Sequence, residues 1–265
     1  MPDDKLTGLD RWILSEFSKL EQAVMGSWKT QEEARDPNKQ GAYDRYEFHV
    51  VYQKVSQFVA VELSAIYHDV IKDRLYTDPA NSARRRSTQT TLHRLVTGLC
   101  QMLAPILAFT ADEAWEFVPG TSRISVHESD WVSATKVIGE EERLAKREYF
   151  QLRDSVLLEL EKARRAKIIG KSLEAKVVLD GTADTMSGIE SSIAMLTEWF
   201  NVSQLIVASR PRPSGAGVVA SAIGITVTHA DGQKCERCWH WETDVGTNAE
   251  HPTLCGRCVR ALAGV

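Results

Sequence analysis

The sequence predicts a mainly α-helical protein in which a helical bundle is followed by a small α/β junction and then by a short C-terminal module. Three observations predict this order. Apolar residues recur at spacings of three and four over most of residues 6–169, which is the period of a helix. They then alternate with polar residues, as in a strand. Four of the five cysteines lie close together near the C-terminus. We expect three domains, at residues 1–139, 140–230 and 231–265.

The first two helices of the bundle are predicted from their apolar stripes. One helix is expected over residues 6–28, and a polar break at residues 31–41 follows it. Its stripe consists of Leu6, Leu9, Ile13, Phe17, Leu20 and Val24. A longer helix is expected over residues 43–75, where two stripes predict burial on two sides. Those stripes consist of Phe48, Tyr52, Val55, Val59, Leu63, Ile66 and Val70, and of Val51, Phe58 and Ala65.

The remaining bundle helices are predicted from their ends. A third helix over residues 82–103 stops before Pro105. Its stripe consists of Leu92, Val96, Leu99 and Leu103. Thr110 and Glu113 have the spacing of a capping box, so a short helix is predicted to begin there and to end at Val118.

The junction is predicted to begin with another long helix. After a loop at residues 121–139, this helix covers residues 140–169, with acidic residues at its start and basic residues at its end, as the helix dipole favours. Gly170 is predicted to terminate it. The elements that follow are a strand at 173–179, a helix at 187–200 and strands at 205–208 and 223–227, with a loop rich in Pro, Gly and Ser at 209–217.

The C-terminal module carries two Cys-x-x-Cys pairs, Cys235-Glu-Arg-Cys238 and Cys255-Gly-Arg-Cys258, with sixteen residues between them. This spacing is typical of a tetrahedral zinc site. The site is predicted to be structural, because four thiolates leave no position for a catalytic water. His240 and His251 lie between the pairs, but the cysteines already complete the site, so both are interpreted as surface residues.

Aromatic and basic residues surround the same cysteines. They include Arg237, Trp239, Trp241 and Arg257. Such side chains can stack on unpaired bases and contact phosphates. The alternative is that the tryptophans pack the small module against its neighbour, because Trp is mostly buried in proteins.

The overall charge and hydropathy exclude several classes of protein. A net charge of −4 is not that of a small protein that wraps bulk DNA, so any nucleic-acid contact must come from local patches. No apolar run has the roughly 18 residues that a membrane span needs, and the N-terminus lacks the pattern of a secretory signal. We therefore expect a cytoplasmic protein. In that compartment Cys-x-x-Cys pairs indicate metal rather than disulfides, and the separate Cys100 is interpreted as a buried thiol.

Four stretches and the cysteine module resemble the bacterial-type isoleucyl-tRNA synthetase family, a class I aminoacyl-tRNA synthetase, in the family's own order. The stretches are Leu9-Asp-Arg-Trp-Ile-Leu-Ser15, Leu63-Ser-Ala-Ile-Tyr-His-Asp-Val-Ile-Lys-Asp-Arg-Leu-Tyr76, Leu103-Ala-Pro-Ile-Leu-Ala-Phe-Thr-Ala-Asp-Glu-Ala-Trp115 and Ile169-Gly-Lys-Ser-Leu-Glu-Ala-Lys-Val177. Each is moderately specific, and together with the four-cysteine unit they are highly specific. That unit distinguishes the isoleucyl family from its valyl and leucyl sisters.

The resemblance implies an anticodon-binding helical bundle, one structural Zn²⁺ and a role in the ATP-dependent charging of tRNA-Ile with isoleucine. The expected partners are tRNA-Ile and the catalytic portion of the same synthetase, with no membrane and no DNA. The family's ATP-binding signatures, His-x-Gly-His and Lys-Met-Ser-Lys-Ser, are absent from this sequence, and so is the editing domain. We therefore expect that the chain does not run the reaction alone, and that it is a piece of a longer enzyme or one half of a split enzyme.

The same resemblance makes the basic clusters candidates for tRNA contact. The clusters are Lys162, Arg164, Arg165, Lys167 and Lys171, then Arg84, Arg85 and Arg86, and then Lys72 with Arg74. The first is the best candidate because it adjoins the junction and contains no acidic residue. The alternative for each cluster is a solvated helix face.

Three other interpretations remain open at this point. A base-excision DNA glycosylase has the same cysteine spacing and an N-terminal catalytic proline, but here Pro2 is followed by Asp3 and then by predicted helices. A free-standing RNA-binding or regulatory module would share every feature above. The corresponding region of a sister synthetase would differ in its tRNA preference.

Overall fold

Two units make up the chain. The first comprises Met1–Leu75 and Ala80–Arg143, and the second Tyr76–Pro79 and Leu144–Val265. The predicted boundary after residue 139 lies near this division, and the separate domain from residue 231 stays a prediction. The structure is a computed structural model, and it describes residues 1–27, 30, 32–121, 125–131, 138–210 and 223–264. Outside these residues lie Trp28, predicted as a helix end, and parts of the loops predicted at 121–139 and 209–217.

Helix α1 (Gly8–Met25) begins the first unit and follows the predicted stripe. The hydroxyl of Thr7 accepts a hydrogen bond from the Asp10 N–H at 3.4 Å and so caps the helix. Gly26, with φ +87°, ends it. All six residues of the predicted stripe are buried, so the prediction of this face is confirmed.

The next helix is continuous but changes its winding. It consists of α2 (Phe48–Phe58), a π-helical segment (Val59–His68) and α3 (Asp69–Thr77), so it begins five residues later than predicted. A π-helix adds residues to each turn, and the buried positions accordingly step by five from Phe58 to Leu63.

This helix is buried on one side, so the prediction of burial on two sides is wrong. Its buried face consists of Val51, Val55, Phe58, Leu63, Tyr67, Val70 and Ile71. Phe48, Tyr52 and Val59, three members of the longer predicted stripe, are exposed. The predicted stripe assumed a constant period of 3.6 residues, which does not hold through a π-helical segment. It therefore combined residues from two different faces of the helix.

Helix α4 (Ala83–Leu103) packs through small and polar residues. The Ser82 hydroxyl caps it by accepting from the Arg85 N–H at 3.1 Å. Its buried residues include Ser87, Thr88, Thr91, Leu95, Gly98 and Met102. A Cβ at Gly98 would lie 2.7 Å from the Phe17 ring, so the close approach of α1 and α4 requires glycine there. The four residues of the predicted apolar stripe are not buried, and that prediction is wrong.

Helix α5 (Ala108–Glu116) begins before Thr110, so the predicted capping box is wrong. The adjacent carboxylate of Asp112 has another role. It accepts hydrogen bonds from the Ser125 hydroxyl at 2.7 Å and from the Val126 N–H at 2.9 Å. These bonds hold the short 3₁₀ turn at Val126–Glu128 against the helix.

A buried polar cluster ties the helices of the first unit together. The carboxylate of Asp10, which is fully buried, accepts hydrogen bonds from the Tyr67 hydroxyl at 2.5 Å, the Ser87 hydroxyl at 2.5 Å and the Thr7 hydroxyl at 2.6 Å. A guanidinium nitrogen of Arg74 lies 3.3 Å from the same carboxylate. The cluster therefore links α1 to the π-helical segment, α3 and α4, and its charges are compensated.

Helix α6 (Glu140–Arg165) ends four residues earlier than predicted, and Lys167 rather than Gly170 terminates it. Lys167 adopts a left-handed conformation with φ +58°. Its N–H donates to the Arg164 carbonyl at 3.0 Å, and the Ile168 N–H donates to the Ala163 carbonyl at 3.0 Å. This pair of bonds is a Schellman motif with Lys167 at the position that usually holds glycine.

Replacing Lys167 by glycine is therefore expected to stabilise the second unit by about 1 kcal/mol, because glycine adopts a left-handed conformation without steric cost. The midpoint of unfolding in urea measures the effect. Lys171→Gly is the matched control, since Lys171 has φ −129° and gains no such relief. A lower midpoint for Lys167→Gly than for the unmodified chain would contradict the assignment.

A three-stranded sheet forms the centre of the junction. Strand β1 (Ala175–Thr182) lies between β2 (Gln204–Arg210), which is parallel to it, and β3 (Gly224–His229), which is antiparallel. Two helices, α7 (Ala183–Glu190) and α8 (Ile193–Phe200), connect β1 to β2 where one helix was predicted. The burial of alternate residues along β1 confirms the predicted strand.

Helix α6 packs on α8. The ring of Phe150 stacks on that of Trp199 with centroids 4.9 Å apart, and the Arg153 Nε donates to the Trp199 carbonyl at 2.9 Å. The cysteine module follows β3 and contains β4 (Gln233–Lys234), β5 (Trp241–Glu242) and helix α9 (Gly256–Leu262). In the part of the chain that the structure describes, no helix is both long enough and apolar enough to cross a bilayer.

Candidate metal centre and nucleic-acid interface

The four cysteines of the C-terminal module are positioned to hold a metal ion. The ligand atoms of Cys235, Cys238, Cys255 and Cys258 all lie within 4.8 Å of one another, and all four residues are buried. The sulfur atoms of Cys238 and Cys255 are 3.7 Å apart. Tetrahedral zinc with Zn–S bonds of about 2.3 Å places its sulfur ligands about 3.8 Å apart. The donor set and its spacing therefore fit zinc.

Backbone turns present each pair of thiols. The Trp239 N–H donates to the Cys235 carbonyl at 2.9 Å, and Trp239 itself takes a left-handed conformation with φ +65°. Cys255 lies just before α9, where the Gly256 N–H donates to the Asp244 carboxylate at 3.0 Å. A Cβ at Gly256 would lie 2.6 Å from that carboxylate, so a larger residue here would displace the Asp244 side chain.

Two arginines lie against the thiols. Arg237 Nη1 is 3.6 Å from the sulfur of Cys258 and also donates to the Thr77 carbonyl at 2.6 Å. Arg257 hydrogen-bonds to Cys238. Positive charge beside a thiolate stabilises it, so both guanidinium groups are placed to stabilise the thiolate form of these cysteines. The sequence predicted RNA contacts for these arginines and did not predict this role.

In the absence of metal, two of the four thiols have a raised pKa. A hydrogen bond with Cys258 and then burial raise the pKa of Cys238, and burial raises the pKa of Cys255. Metal binding must therefore displace protons from the site. Among the described residues, neither His240 nor His251 belongs to the group that could hold the metal.

The two tryptophans of the module have different environments. Trp239 is 57% exposed, and its ring is flanked by the ammonium groups of Lys171 and Lys234 at 5.8 and 5.6 Å from the ring centroid. Trp241 is half-buried, and its ring meets the His229 ring edge-to-face at 4.5 Å. Trp239 is thus the one of the pair presented to solvent, whereas Trp241 packs the module against β3.

We define the Trp239 surface as Trp239, Lys171 and Lys234. Lys167 and Lys171 are exposed, and neither forms an ion pair with any residue that the structure describes. The sequence did not predict Lys234 as a candidate for RNA contact, because it is an isolated lysine in a polar stretch. The left-handed conformation of Trp239 turns the chain back, and this turn explains how Lys234, five residues earlier, reaches the Trp239 ring.

The other basic side chains of the α6 cluster are paired with acids on their own helix. Lys162 lies 2.6 Å from the Glu159 carboxylate, and Arg164 and Arg165 lie 3.1 and 3.3 Å from that of Glu161. The acids stand three or four residues earlier, a spacing that is visible in the sequence. These three cations are therefore partly compensated, and the free charge lies at Lys167 and Lys171.

The basic residues of the first unit also differ from one another. Arg74 is 3% exposed and belongs to the Asp10 cluster, so its predicted contact with tRNA is corrected to a structural role. Lys72 pairs with Asp69 at 3.2 Å and Arg84 with Asp73 at 3.3 Å. Arg85 is half-buried, and Arg86 is exposed.

Comparison with known families gives two matches. Residues 39–179 match the model described as "Anticodon-binding domain of tRNA ligase". Residues 232–261 match the model described as "Zinc finger found in FPG and IleRS". The second match covers the four cysteines and the flanking arginines described above.

Several curated proteins named isoleucine–tRNA ligase are similar to the chain. One from Syntrophotalea carbinolica is 38% identical over 264 residues, covering 98% of this chain and 27% of that protein. One from Desulfitobacterium hafniense is 40% identical over 97% of this chain and 27% of its own length. One from Exiguobacterium sibiricum is 41% identical over 83% of this chain and 24% of its own length.

The chain therefore spans about a quarter of the length of these relatives. The first family model matches more than half of the chain, since residues 39–179 are 141 of 265. With its helical first unit and its four-cysteine module, the chain belongs to the family of anticodon-binding domains of tRNA ligases and carries a zinc finger of the kind found in isoleucyl-tRNA synthetases.

Proposed function

We propose that the chain binds the anticodon arm of tRNA-Ile and positions it for ATP-dependent charging with isoleucine by the catalytic portion of an isoleucine–tRNA ligase. The relatives' printed names support the amino acid and the reaction. The observation that carries RNA binding is the exposed ring of Trp239 between two lysines. We propose the cytoplasm as its location, because charged tRNA is used there for protein synthesis.

An exposed aromatic ring flanked by cations suits an unpaired nucleotide. Bases in a single-stranded loop can stack on such a ring, and the lysines can contact the neighbouring phosphates. The anticodon loop is the single-stranded part of the arm that an anticodon-binding domain serves. Binding at the anticodon loop fixes the orientation of the tRNA. The binding energy gained there lowers the entropic cost of placing the distant acceptor end for reaction.

We further propose that the four cysteines hold one structural Zn²⁺. The sulfur ligands are buried and complete a tetrahedron, so the ion fixes the loop that carries Trp239 and leaves no position for substrate. The described residues 231–264 contain few buried apolar side chains besides the cysteines, so the metal supplies much of the module's folding free energy.

The sharpest test of the Trp239 surface compares the two tryptophans. Trp239→Ala is expected to weaken tRNA binding by about 5- to 100-fold, as removing one base-stacking ring does. Trp239→Phe should keep most of the affinity. Trp241→Ala is the matched control, and it should lower the stability of the module more than the tRNA affinity of the folded protein. Fluorescence anisotropy with labelled tRNA measures the affinity.

Specificity is tested by titrating the chain with tRNA-Ile and with tRNA-Val across a salt series, with zinc content determined on the same sample. We expect a preference for tRNA-Ile and affinity that falls with salt, since phosphate contacts release counterions. Equal binding of both tRNAs would contradict the isoleucine assignment. Failure to bind any tRNA at low salt would contradict the proposed function as a whole.

A free-standing RNA-binding module is the second candidate, because the Trp239 surface would accept any single-stranded RNA. An unstructured oligoribonucleotide distinguishes the two. Binding as tight as that of tRNA-Ile would favour the general module. The DNA glycosylase alternative shares only the zinc-finger model, whereas the larger match is to a tRNA-ligase domain.

A further inference from the structure

Three aromatic side chains project from the start of α2 into solvent. Tyr46 is 80% exposed, Tyr52 72% and Phe48 49%. The rings of Tyr46 and Phe48 meet edge-to-face with centroids 6.5 Å apart, and Tyr52 lies one helical turn beyond Phe48 on the same side. We name these three residues the aromatic ridge. Such a cluster on the surface of a folded unit marks a site of interaction.

The backbone of the ridge is held in a costly conformation. Tyr46 has φ +56°, a left-handed conformation that is unfavourable for a residue with a Cβ. The Tyr46 N–H donates to the Tyr43 carbonyl at 3.0 Å, and the Glu47 N–H donates to the Ala42 carbonyl at 2.8 Å. Glycine would suit this turn better on stability alone. A tyrosine whose ring contacts mainly solvent therefore points to a role for the ring itself.

The turn that carries the ridge has no large excess of negative charge, because one of its two carboxylates is paired with an arginine. Glu47 pairs with Arg45 at 2.9 Å, and Asp44 accepts the Gly41 N–H at 2.8 Å while it keeps its charge. Arg45 and His49, which flank Tyr46 and Phe48 in sequence, are exposed. The neighbourhood therefore permits an RNA strand.

A second exposed aromatic surface in the same unit is surrounded by negative charge. Phe109, which is 92% exposed, lies on α5 with the exposed carboxylates of Glu113 and Glu116 on the following turns. Those acids disfavour RNA there. The contrast between the two surfaces supports RNA as the partner of the ridge.

From this geometry we infer that the aromatic ridge is a second base-stacking site, at which Tyr46, Phe48 and Tyr52 take unpaired nucleotides of the bound tRNA. The inference rests on the proposed tRNA-binding function. Tyrosine rings stack on any base, so the ridge contributes affinity and orientation rather than sequence preference.

The test uses the full chain with a tRNA-Ile transcript and with a fully paired RNA duplex. Tyr52→Ala and Tyr46→Gly are each expected to weaken tRNA binding by about 5- to 100-fold and to leave duplex binding unchanged. Tyr46→Gly should also raise the melting temperature, because it relieves the left-handed turn. This combination of higher stability with weaker binding separates the role of the ring from any effect on folding. Phe109→Ala is the control and should bind tRNA as the unmodified chain does.

Each result supports or overturns the inference. Unchanged tRNA affinity in Tyr52→Ala and Tyr46→Gly, in a chain that binds tRNA, would overturn it and leave the proposed function intact. An equal loss of affinity for tRNA and for the duplex would also overturn it, since stacking on unpaired bases would then not be involved. If the unmodified chain binds no tRNA, the proposed function fails and the inference fails with it.

Discussion

Cys235→Ser is expected to release the metal, unfold the C-terminal module and weaken tRNA binding, while the helices of the first unit stay folded. The reason is that the thiol of Cys235 is fully buried within the four-sulfur group, and a serine hydroxyl is a poor ligand for zinc. Structural zinc contributes about 10–16 kcal/mol to the folding of small zinc modules. Zinc content is measured by metal analysis, and the fold of the first unit by circular dichroism.

The control for this variant is Cys100→Ala. Cys100 is also buried, but it packs in an apolar cluster of the first unit with Ala111 and Trp115. Its replacement should leave the zinc content at that of the unmodified chain. Full zinc occupancy in Cys235→Ser would refute the four-cysteine assignment.

The same site predicts a dependence on pH. The pKa values of Cys238 and Cys255 are raised without metal, so both thiols carry protons at neutral pH until zinc displaces them. Lower pH supplies more protons to compete, and the apparent zinc affinity should therefore fall as the pH falls. A competition titration with a zinc chelator at several pH values measures this, and an affinity independent of pH would contradict the thiolate site.

Asp10→Ala is expected to destabilise the first unit by about 3–5 kcal/mol, because it breaks the buried ion pair between Asp10 and Arg74. It also removes the acceptor of the hydrogen bonds from Tyr67 and Ser87. Unfolding in urea, followed by helical circular dichroism, measures the loss.

Two further variants show whether burial is the cause. Asp3→Ala removes an ion pair with Arg94 in which both side chains are about a third exposed, and it should cost only about 0–1 kcal/mol. Asp10→Ala combined with Arg74→Met removes both charges of the buried pair and should recover part of the stability. A urea midpoint for Asp10→Ala equal to that of Asp3→Ala would show that the cluster does not stabilise the unit.

The local features of the chain were predictable from sequence. In each Cys-x-x-Cys pair only two residues separate the cysteines, so a single tight turn brings their two thiols close together. The structure brings the thiols of both pairs together. The stripe from Leu6 to Val24 identifies the buried face of α1, since a regular helix repeats its faces every 3.6 residues. The alternation along β1 likewise predicts its burial.

The errors arise where local periodicity does not decide packing. In α4 the buried face carries Ser87, Thr88 and Thr91, and the leucines and valine predicted to be buried lie to the side. Polar residues are buried there because Asp10 requires hydrogen-bond donors at that position. Arg74 was taken for a surface cation for the same reason, since its carboxylate partner lies 64 residues away in sequence.

The sequence by itself determined the order of helical bundle, junction and cysteine module, the four cysteines that lie together in a position to hold a metal ion, and the family to which the chain is similar. These depend on short spacings and local periods, whose geometry follows from the backbone alone. Only the tertiary structure decided that Trp239 faces solvent and Trp241 is half-buried, that the ring of Trp239 lies between Lys171 and Lys234, and that Arg74 is buried. Those outcomes depend on which elements pack together, because the free energy of a side chain in water differs from its free energy against a partner that is distant in sequence.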